Sequence, residues 1–329
     1  EVCERMGFLG DVIQPLRDEE ISRVVGLIEH CAVDAVAVCF LFSFINSTHE
    51  ARLAKTLRER MGGLPVSVSS EVQPEFREYE RFSTTVLNAY LQPSVGRYLE
   101  SLRSAVGTML PGAKVGINQS NGGLMSIDQA VRYPVRTALS GPAAGVIGAA
   151  HQGKLSQHSR LITFDMGGTS TDVCLIRNSL AGMTNEREVA GFPVRLPAVD
   201  IHTIGAGGGS IPWFDRDGLL KVGPISAGSI PGPACYGNGG SKATVSDANL
   251  ILGRLPEVLV AGKMKLNRDM AEQAIKPFAE EMEVSLEAAA DGIIRVVNSN
   301  MVRALQAVSV ERGFDPRDFT LLAFGGAGP

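Results

Sequence analysis

The run LITFDMGGTSTDVCLI, residues 161–176, leaves the backbone few choices: two apolar, β-rich halves flank a glycine pair, with one aspartate on each side. Gly-Gly between such halves predicts a two-residue hairpin turn, because glycine takes positive φ without a Cβ clash. With Gly167 and Gly168 as the turn, Asp165 faces Ser170 and Thr163 faces Asp172. Those four side chains share one face of the ribbon, while Phe164, Met166, Thr169 and Thr171 take the other, since alternate strand residues point to opposite sides. Two carboxylates and two hydroxyls then meet on one surface. Amides of a glycine turn flanked by Thr169 and Ser170 suit phosphate oxygens, and the carboxylates suit Mg²⁺ or its waters. Taken alone, the stretch reads equally as an ordinary polar hairpin.

Charge narrows the partners. With 31 Lys and Arg against 35 Asp and Glu the net charge is −4, which gives no electrostatic case for nucleic acid or an anionic membrane surface. Small-molecule chemistry or protein partners are favoured instead. The longest apolar run, residues 35–45, is too short to span a bilayer, and no signal-peptide pattern opens the sequence, so a soluble cytoplasmic protein is the expectation. The five cysteines (Cys3, Cys31, Cys39, Cys174, Cys235) are odd in number and show no CxxC spacing, so neither a disulfide framework nor a structural zinc site is indicated. The sequence begins at Glu1 rather than Met and stops in a glycine cluster, which leads us to expect a piece of a longer polypeptide.

In chain order, the pattern predicts a helix over 18–30 with Asp18 as cap, a buried strand over 34–44, a helix over 47–60 and a strand over 65–69, together a βαβ unit. Residues 74–110 read as helical with a break at Pro93, and Tyr79, Phe82, Val86, Leu87 and Tyr90 form a core-packing face. A strand over 114–121 ends in the turn Asn121-Gly122-Gly123, and Ser126 caps a short helix that Pro134 stops. A strand then leads into a helix of small residues over 143–150, which is either a hinge between lobes or simple close packing. Asp200 and His202 lie two apart on a strand before a glycine loop, as a metal or acid/base pair or as a hydrogen-bonded structural pair. Eleven of the 36 residues from 205 to 240 are glycine, which marks unusual backbone or close approach to a ligand. Later helices are expected over 244–255 with Asp247 exposed, from Asn267 to a break at Pro277, and over 285–312 with Ile294, Val297, Met301, Leu305 and Val308 on one apolar stripe. FTLLAFGGAGP reads as a buried strand emptying into a glycine loop, where open α/β sheets bind ligands.

Seven colinear blocks carry a resemblance that covers nearly the whole chain. DMGGTSTD (165–172), SGPAAGV (140–146), DIHTIGAGGGSI (200–211) and FGGAGP (324–329), with SSEVQPEFREYERFSTTVLNAYL, PGPACYGNGG and TVSDANLILGRL, resemble the A subunit of the hydantoinase/oxoprolinase family, of the N-methylhydantoinase and 5-oxoprolinase type. The resemblance implies an α/β fold of the actin, sugar-kinase and heat-shock-ATPase kind: two ribonuclease-H-like lobes with a nucleotide cleft between them. It implies a remainder of the first lobe at 1–139, a connecting helix and hinge at 140–159, and a nucleotide-binding lobe at 160–329. Family members carry an earlier DxGGTxTD hairpin, and none occurs within residues 1–150, so the first lobe is expected to be truncated and the phosphate clamp half present.

The same resemblance implies ATP and Mg²⁺ as cofactors. Asp165 and Asp172 would serve the metal; Gly167, Gly168, Thr169 and Ser170 the phosphates; Gly205, Gly207, Gly208, Gly325, Gly326 and Gly328 the nucleotide. Asp165, Asp172, Asp200 and His202 form the candidate catalytic set. The implied activity is ATP-dependent ring opening of a cyclic amide or imide, 5-oxoproline or a hydantoin, through phosphorylation of the carbonyl oxygen. The alternatives are a carboxylase subunit activating a ketone or bicarbonate, and a nucleotide-binding module without catalysis. A B-type subunit or fused domain in an oligomeric assembly is the implied partner.

Overall fold

The computed structural model describes residues 1–259 and 264–328. The chain packs as two units, Glu1–Ala144 with Met183–Val199, and Gly145–Gly182 with Asp200–Pro329. Among the described residues no helix is long and apolar enough to cross a membrane.

In the first unit, α1 (Asp18–His30) places Asp18, Glu19 and Glu20 in its first turn, where the free amides favour acidic groups. Arg17, not Asp18, holds the cap position. Strand β1 (Val36–Val38), helix α2 (Thr48–Arg60) and strand β2 (Val66–Val68) form a βαβ unit in which Val36 pairs Val66 in parallel. Leu16, Ile21, Val25, Val38, Leu53, Leu57 and Val68 fill its core. The strand is far shorter than 34–44. The Phe40 amide turns to the Glu50 carboxylate (2.7 Å), and Phe42 takes φ +57, outside the strand region.

Glu50 is fully buried and also accepts hydrogen bonds from Ser69 Oγ (2.7 Å) and the Ser70 amide (2.9 Å). An amide at this position turns an NH₂ toward one of those donors. Glu50→Gln is therefore expected to lower the unfolding free energy by about 1–3 kcal/mol, read as a shift of the urea midpoint. An unshifted midpoint would show that these bonds do not hold the βαβ unit.

After α3 (Ser69–Val72) comes α4 (Glu78–Met109), which runs unbroken through Pro93. Its orientation follows the expectation only at Phe82 and Leu87, which are half-buried, Leu87 against Val72 and Val135. Tyr79, Val86 and Tyr90 are 72%, 54% and 77% exposed, and the buried positions are Ala89, Leu99 and the polar Arg81, Thr84, Thr85, Asn88 and Gln92. Burying polar groups is tolerable when they are hydrogen-bonded. Arg81 Nη2 donates to Phe40 O (2.8 Å), Asn88 Nδ2 to Ser67 Oγ (2.9 Å), and Gln92 Nε2 to Arg132 O (3.0 Å).

The hairpin β3 (Ile117–Asn118) and β4 (Leu124–Met125) leads to α5 (Ile127–Arg132), which Ser126 caps through the Gln129 amide (3.3 Å). The strand expected before the small-residue helix is instead a 3-10 turn, Pro134–Thr137. The helix itself, α6 (Ser140–Leu155), is longer than 143–150, and the unit boundary falls inside it between Ala144 and Gly145. Residues 183–199, counted with the second lobe from the sequence, join the first unit. Val194 and Leu196 pack in one cluster with Val72 and Val135.

The second unit is built on β5 (Leu161–Met166), β6 (Thr171–Arg177), β7 (His202–Ile204), the hairpin β8 (Ser210–Phe214) and β9 (Leu220–Ser226), and β10 (Thr320–Phe324). Four of these form a sheet in the order β7-β6-β5-β10, antiparallel except that β10 runs parallel to β5. Three antiparallel strands with a fourth parallel to the first is the ribonuclease-H-like order. β10 is only partly covered, with Leu321 54% exposed, rather than buried. Helices α7 (Val245–Ile251), α8 (Arg268–Glu281) and α9 (Leu286–Val308) supply the core. α8 continues through Pro277 instead of breaking there. On α9, Ile294, Val297, Met301 and Val308 are buried as the stripe predicts.

Asp247 is fully buried rather than exposed. Its carboxylate accepts from the amides of Cys235 (2.7 Å) and Thr244 (2.9 Å) and from Thr244 Oγ1 (2.7 Å), tying the glycine- and proline-rich segment before α7 to the helix start.

Candidate functional site

The register of β5 and β6 differs from a two-residue turn by two positions. Asp165 pairs Asp172 and Met166 pairs Thr171, leaving residues 167–170 as a four-residue loop closed by the Gly167 amide on Ser170 O (2.9 Å). A shift of two preserves the face of every side chain. The two aspartates therefore still share a surface, now directly opposite each other, and Thr163 pairs Cys174 instead of Asp172. Gly167 and Gly168 do not take positive φ, so turn geometry is not what requires them. A Cβ on Gly168 would meet nothing within 4 Å, and Gly168 is exposed. Among the described residues the amides of Gly168, Thr169 and Ser170 have no hydrogen-bond acceptor. Three successive open amides at a largely exposed loop tip offer hydrogen-bond donors to an anion.

The loop carbonyls are turned the other way. Gly167 O accepts from the Gly208 amide (3.0 Å), and Gly168 O from the Gly209 amide (2.6 Å) and Ser226 Oγ (3.3 Å). Residues 205–209, glycine except at Ala206, are thus the bed on which the tip rests. A Cβ on Gly207 would lie 2.6 Å from Gly167 O, one on Gly205 2.7 Å from Pro224 Cβ, and one on Gly208 2.9 Å from Ser246 Oγ. Of these three candidates, Gly207 packs on the loop backbone and Gly208 bonds to it through its amide, while Gly205 packs on Pro224. The loop after β10 is fastened to the same hairpin, since the Ala327 amide donates to Met166 O (2.8 Å). Gly325 takes φ +93, and a Cβ there would lie 2.4 Å from Asp165 Oδ1; on Gly328 it would meet Phe324 O at 2.1 Å. Gly326 has open space around it. Pro329, the last residue of the GGAGP stretch, lies outside the described residues.

Asp165 is half-buried between Gly325 and Gly145 of α6, whose Cβ would lie 3.6 Å from Oδ2. Burial, and then the facing charge of Asp172, push the Asp165 carboxyl above its ordinary value. Asp172 accepts a hydrogen bond from Thr203 Oγ1 (2.5 Å), which is its cross-strand neighbour on β7. Two carboxylates that repel each other fit a site that gains a cation. Among the described residues no group of three or more His, Cys, Asp or Glu is gathered to hold a metal. A metal here would complete its shell from water and phosphate, as Mg²⁺ does.

Asp200 and His202 are placed differently. The Asp200 carboxylate is paired with the Arg312 guanidinium through both oxygens, and that contact holds Arg312 above its ordinary pKa. His202 neighbours Thr203 on β7 and so lies on the face opposite Asp172. It lines a separate depression of about 590 Å³ with Trp213, Lys221, Asn300 and Arg303. Thr203, Gly145, Gly209 and Ser226 were missed in the sequence. Thr203 could have been found, because it directly follows His202, one of the two residues singled out there.

The chain matches the family model described as hydantoinase/oxoprolinase over residues 81–329 and the model for the N-terminal region of that family over residues 1–61. It is 43% identical to an uncharacterized protein of Methanocaldococcus jannaschii, covering all of this chain and 50% of that protein. It is 40% identical to the caprolactamase subunit alpha of Pseudomonas jessenii, covering 97% of this chain and 46% of the relative. The crystal structure of the ATP-dependent caprolactamase from Pseudomonas jessenii superposes with a TM-score of 0.83 at 39% identity, over 98% of this chain and 47% of that one. The nucleotide-free structure of acetone carboxylase, an enzyme of ATP-dependent acetone carboxylation, does so with a TM-score of 0.84 at 29% identity, over 98% and 46%. The fold is therefore the mixed α/β fold of the actin-like ATPase type. The chain spans about half the length of these curated relatives. With family models covering most of its length, the chain belongs to the hydantoinase/oxoprolinase family.

Proposed function

We propose that the chain is the phosphate-binding part of an ATP-dependent enzyme that hydrolyses a cyclic amide or imide of the 5-oxoproline or hydantoin type. One observation carries this reading: the tip at residues 167–170 rests the carbonyls of Gly167 and Gly168 on the bed beneath and leaves the amides of Gly168, Thr169 and Ser170 without an acceptor among the described residues, beside the facing pair Asp165 and Asp172. The amides of Gly168, Thr169 and Ser170 hold phosphate oxygens. Asp165 and Asp172 hold Mg²⁺ directly or through its waters, and Thr203 fixes the orientation of Asp172. Gly325, Gly326 and Gly328 run beside the nucleotide. ATP with Mg²⁺ supplies the phosphoryl group that turns an unreactive amide oxygen into a leaving group. Positioning and charge neutralisation are what such a transfer asks of the protein. The division into a first-lobe remainder, a connecting helix and a nucleotide-binding lobe belongs to the same proposal, as does a B-type subunit or fused domain that completes hydrolysis. The relative named as a subunit alpha supports that partner.

The likeness to acetone carboxylase supports a second reading, in which the activated acceptor is a ketone or bicarbonate. ADP release by the full-length protein separates the two. Stimulation by about tenfold or more on adding 5-oxoproline or a hydantoin, without bicarbonate, is the expected result. Turnover that requires bicarbonate and a ketone transfers the assignment to a carboxylase.

A further inference from the structure

The depression of about 590 Å³ beside His202 lies wholly within the second unit, and residues 165–172 and 325–328 take no part in its lining. Three elements build it, each with one face. On the hairpin, Trp213 of β8 sits directly opposite Lys221 of β9, so both side chains share a face of the ribbon. On α9, Val296, Asn300 and Arg303 are spaced by four and three residues and form one stripe. On β7, His202 and Ile204 are alternate residues and point to one side. The buried Ala206, Val222 and Ala304 complete an apolar floor. The indole is fixed by its Nε1, which donates to Gly223 O (2.8 Å), and Asn300 Nδ2 donates to Val222 O (3.3 Å), tying α9 to the hairpin. An apolar floor with a few placed polar groups, at a volume usual for small-molecule sites, marks a ligand pocket.

The charges of this lining do not cancel. It carries the cations Lys221 and Arg303 against one carboxylate, Asp215. That carboxylate is already committed: Oδ1 accepts from the amides of Asp217 (3.0 Å) and Leu219 (2.9 Å), and Oδ2 lies 3.4 Å from Lys221 Nζ. Arg303 is left over. Its Nη2 donates to the neutral Asn300 Oδ1 (2.5 Å), which holds the guanidinium at the pocket, and among the described residues no carboxylate pairs with it. The indole of Trp213 is 43% exposed, so a ring face remains open beside that charge. One excess positive charge, an open indole and an apolar floor together suit a monoanion with a flat apolar body. Its ring packs on the indole, and the planar fork of the guanidinium takes its carboxylate. A phosphate dianion would exceed the charge and leave the floor uncovered.

We infer that this depression is a second ligand site, for an aromatic monocarboxylate, with Arg303 on the carboxylate and Trp213 on the ring. It goes beyond the ATP-dependent reading and does not rest on it. The test is titration of the full-length protein with 3-phenylpropanoate and with 3-phenylpropanamide, the same body without the charge, followed by calorimetry and by tryptophan emission. Saturable binding of 3-phenylpropanoate, at least about tenfold tighter than the amide and unaltered by saturating ATP and Mg²⁺, is expected. The emission change should come from Trp213, the one tryptophan of the 329 residues, and vanish in Trp213→Phe. Arg303 is exposed on α9, so Arg303→Gln should melt as the wild type does, lose the preference for the carboxylate and bind the amide unchanged. Equal affinity for the two probes, no saturable binding of 3-phenylpropanoate, normal binding by Arg303→Gln, an emission change that persists in Trp213→Phe, or displacement by ATP overturns the inference. ATP turnover is read separately, so each of these results leaves the assignment of the hairpin standing.

Discussion

Asp165→Asn in the full-length protein is expected to melt at a higher temperature than the wild type at pH 7 and to lose Mg²⁺-dependent ATP turnover by about a thousandfold or more. Both effects have one origin. Asp165 is half-buried and faces Asp172, so its carboxyl is raised above its ordinary value in the folded chain. A carboxyl raised on folding contributes stability that is fully present below the unfolded carboxylate pKa of about 4. That contribution is lost as pH rises through the folded value, so at neutral pH the charged wild type carries a penalty that asparagine removes. The gain should be modest, about 0.5–1 kcal/mol, because Asp165 is partly solvated, and it should shrink as the pH of the melt falls toward 4. A lower melting temperature for Asp165→Asn at pH 7 would show that the facing charges do not strain the fold. Unchanged turnover in both Asp165→Asn and Asp172→Asn would remove the hairpin from the mechanism.

Substituting alanine for three neighbouring glycines should give three different results. At Gly325 the backbone has φ +93, and the new Cβ would fall 2.4 Å from Asp165 Oδ1 and 2.5 Å from Met166 O. Left-handed strain and overpacking against main chain together should cost about 3 kcal/mol of stability. Gly326→Ala meets open space and should change stability by less than about 0.5 kcal/mol. Gly168→Ala is equally free of contacts, so its stability should also be unaffected. Its methyl group would stand beside the open amides, however, and nucleotide affinity should fall by about tenfold. Thermal melts with and without ATP and Mg²⁺ separate these outcomes. A Gly168→Ala variant that binds ATP as tightly as the wild type would show that phosphate does not approach the tip.

What could be read in advance depended on how local its physics is. The shared face of Asp165 and Asp172 follows from strand alternation and survived a wrong register, because a slip of two leaves parity untouched. The register itself was not readable, since the loop length is set by carbonyls that bond to Gly208 and Gly209, about forty residues further along. The orientation of α4 was misread for a related reason. Hydrophobicity favoured Tyr79, Phe82, Val86, Leu87 and Tyr90 as the inner face, yet only Phe82 and Leu87 are half-buried, and the polar side could be buried because Ser67, Phe40 and Arg132 supply partners from other segments. Asp247 was expected outside for want of the same information, since two of its donors lie on the preceding segment at Ala234 and Cys235. The helix at 18–30 and the stripe on α9 needed only their own periodicity and were legible.

The inward carbonyls of the tip also bear on acidity and selectivity. Fixing Gly167 O and Gly168 O to the bed beneath orients the adjoining peptide dipoles, so the outer surface of the loop carries a permanent positive field. Unlike a field made by lysine or histidine, it has no proton to lose and no long side chain to immobilise. Whatever share of phosphate affinity comes from the amides of residues 168–170 should therefore stay level across the neutral pH range.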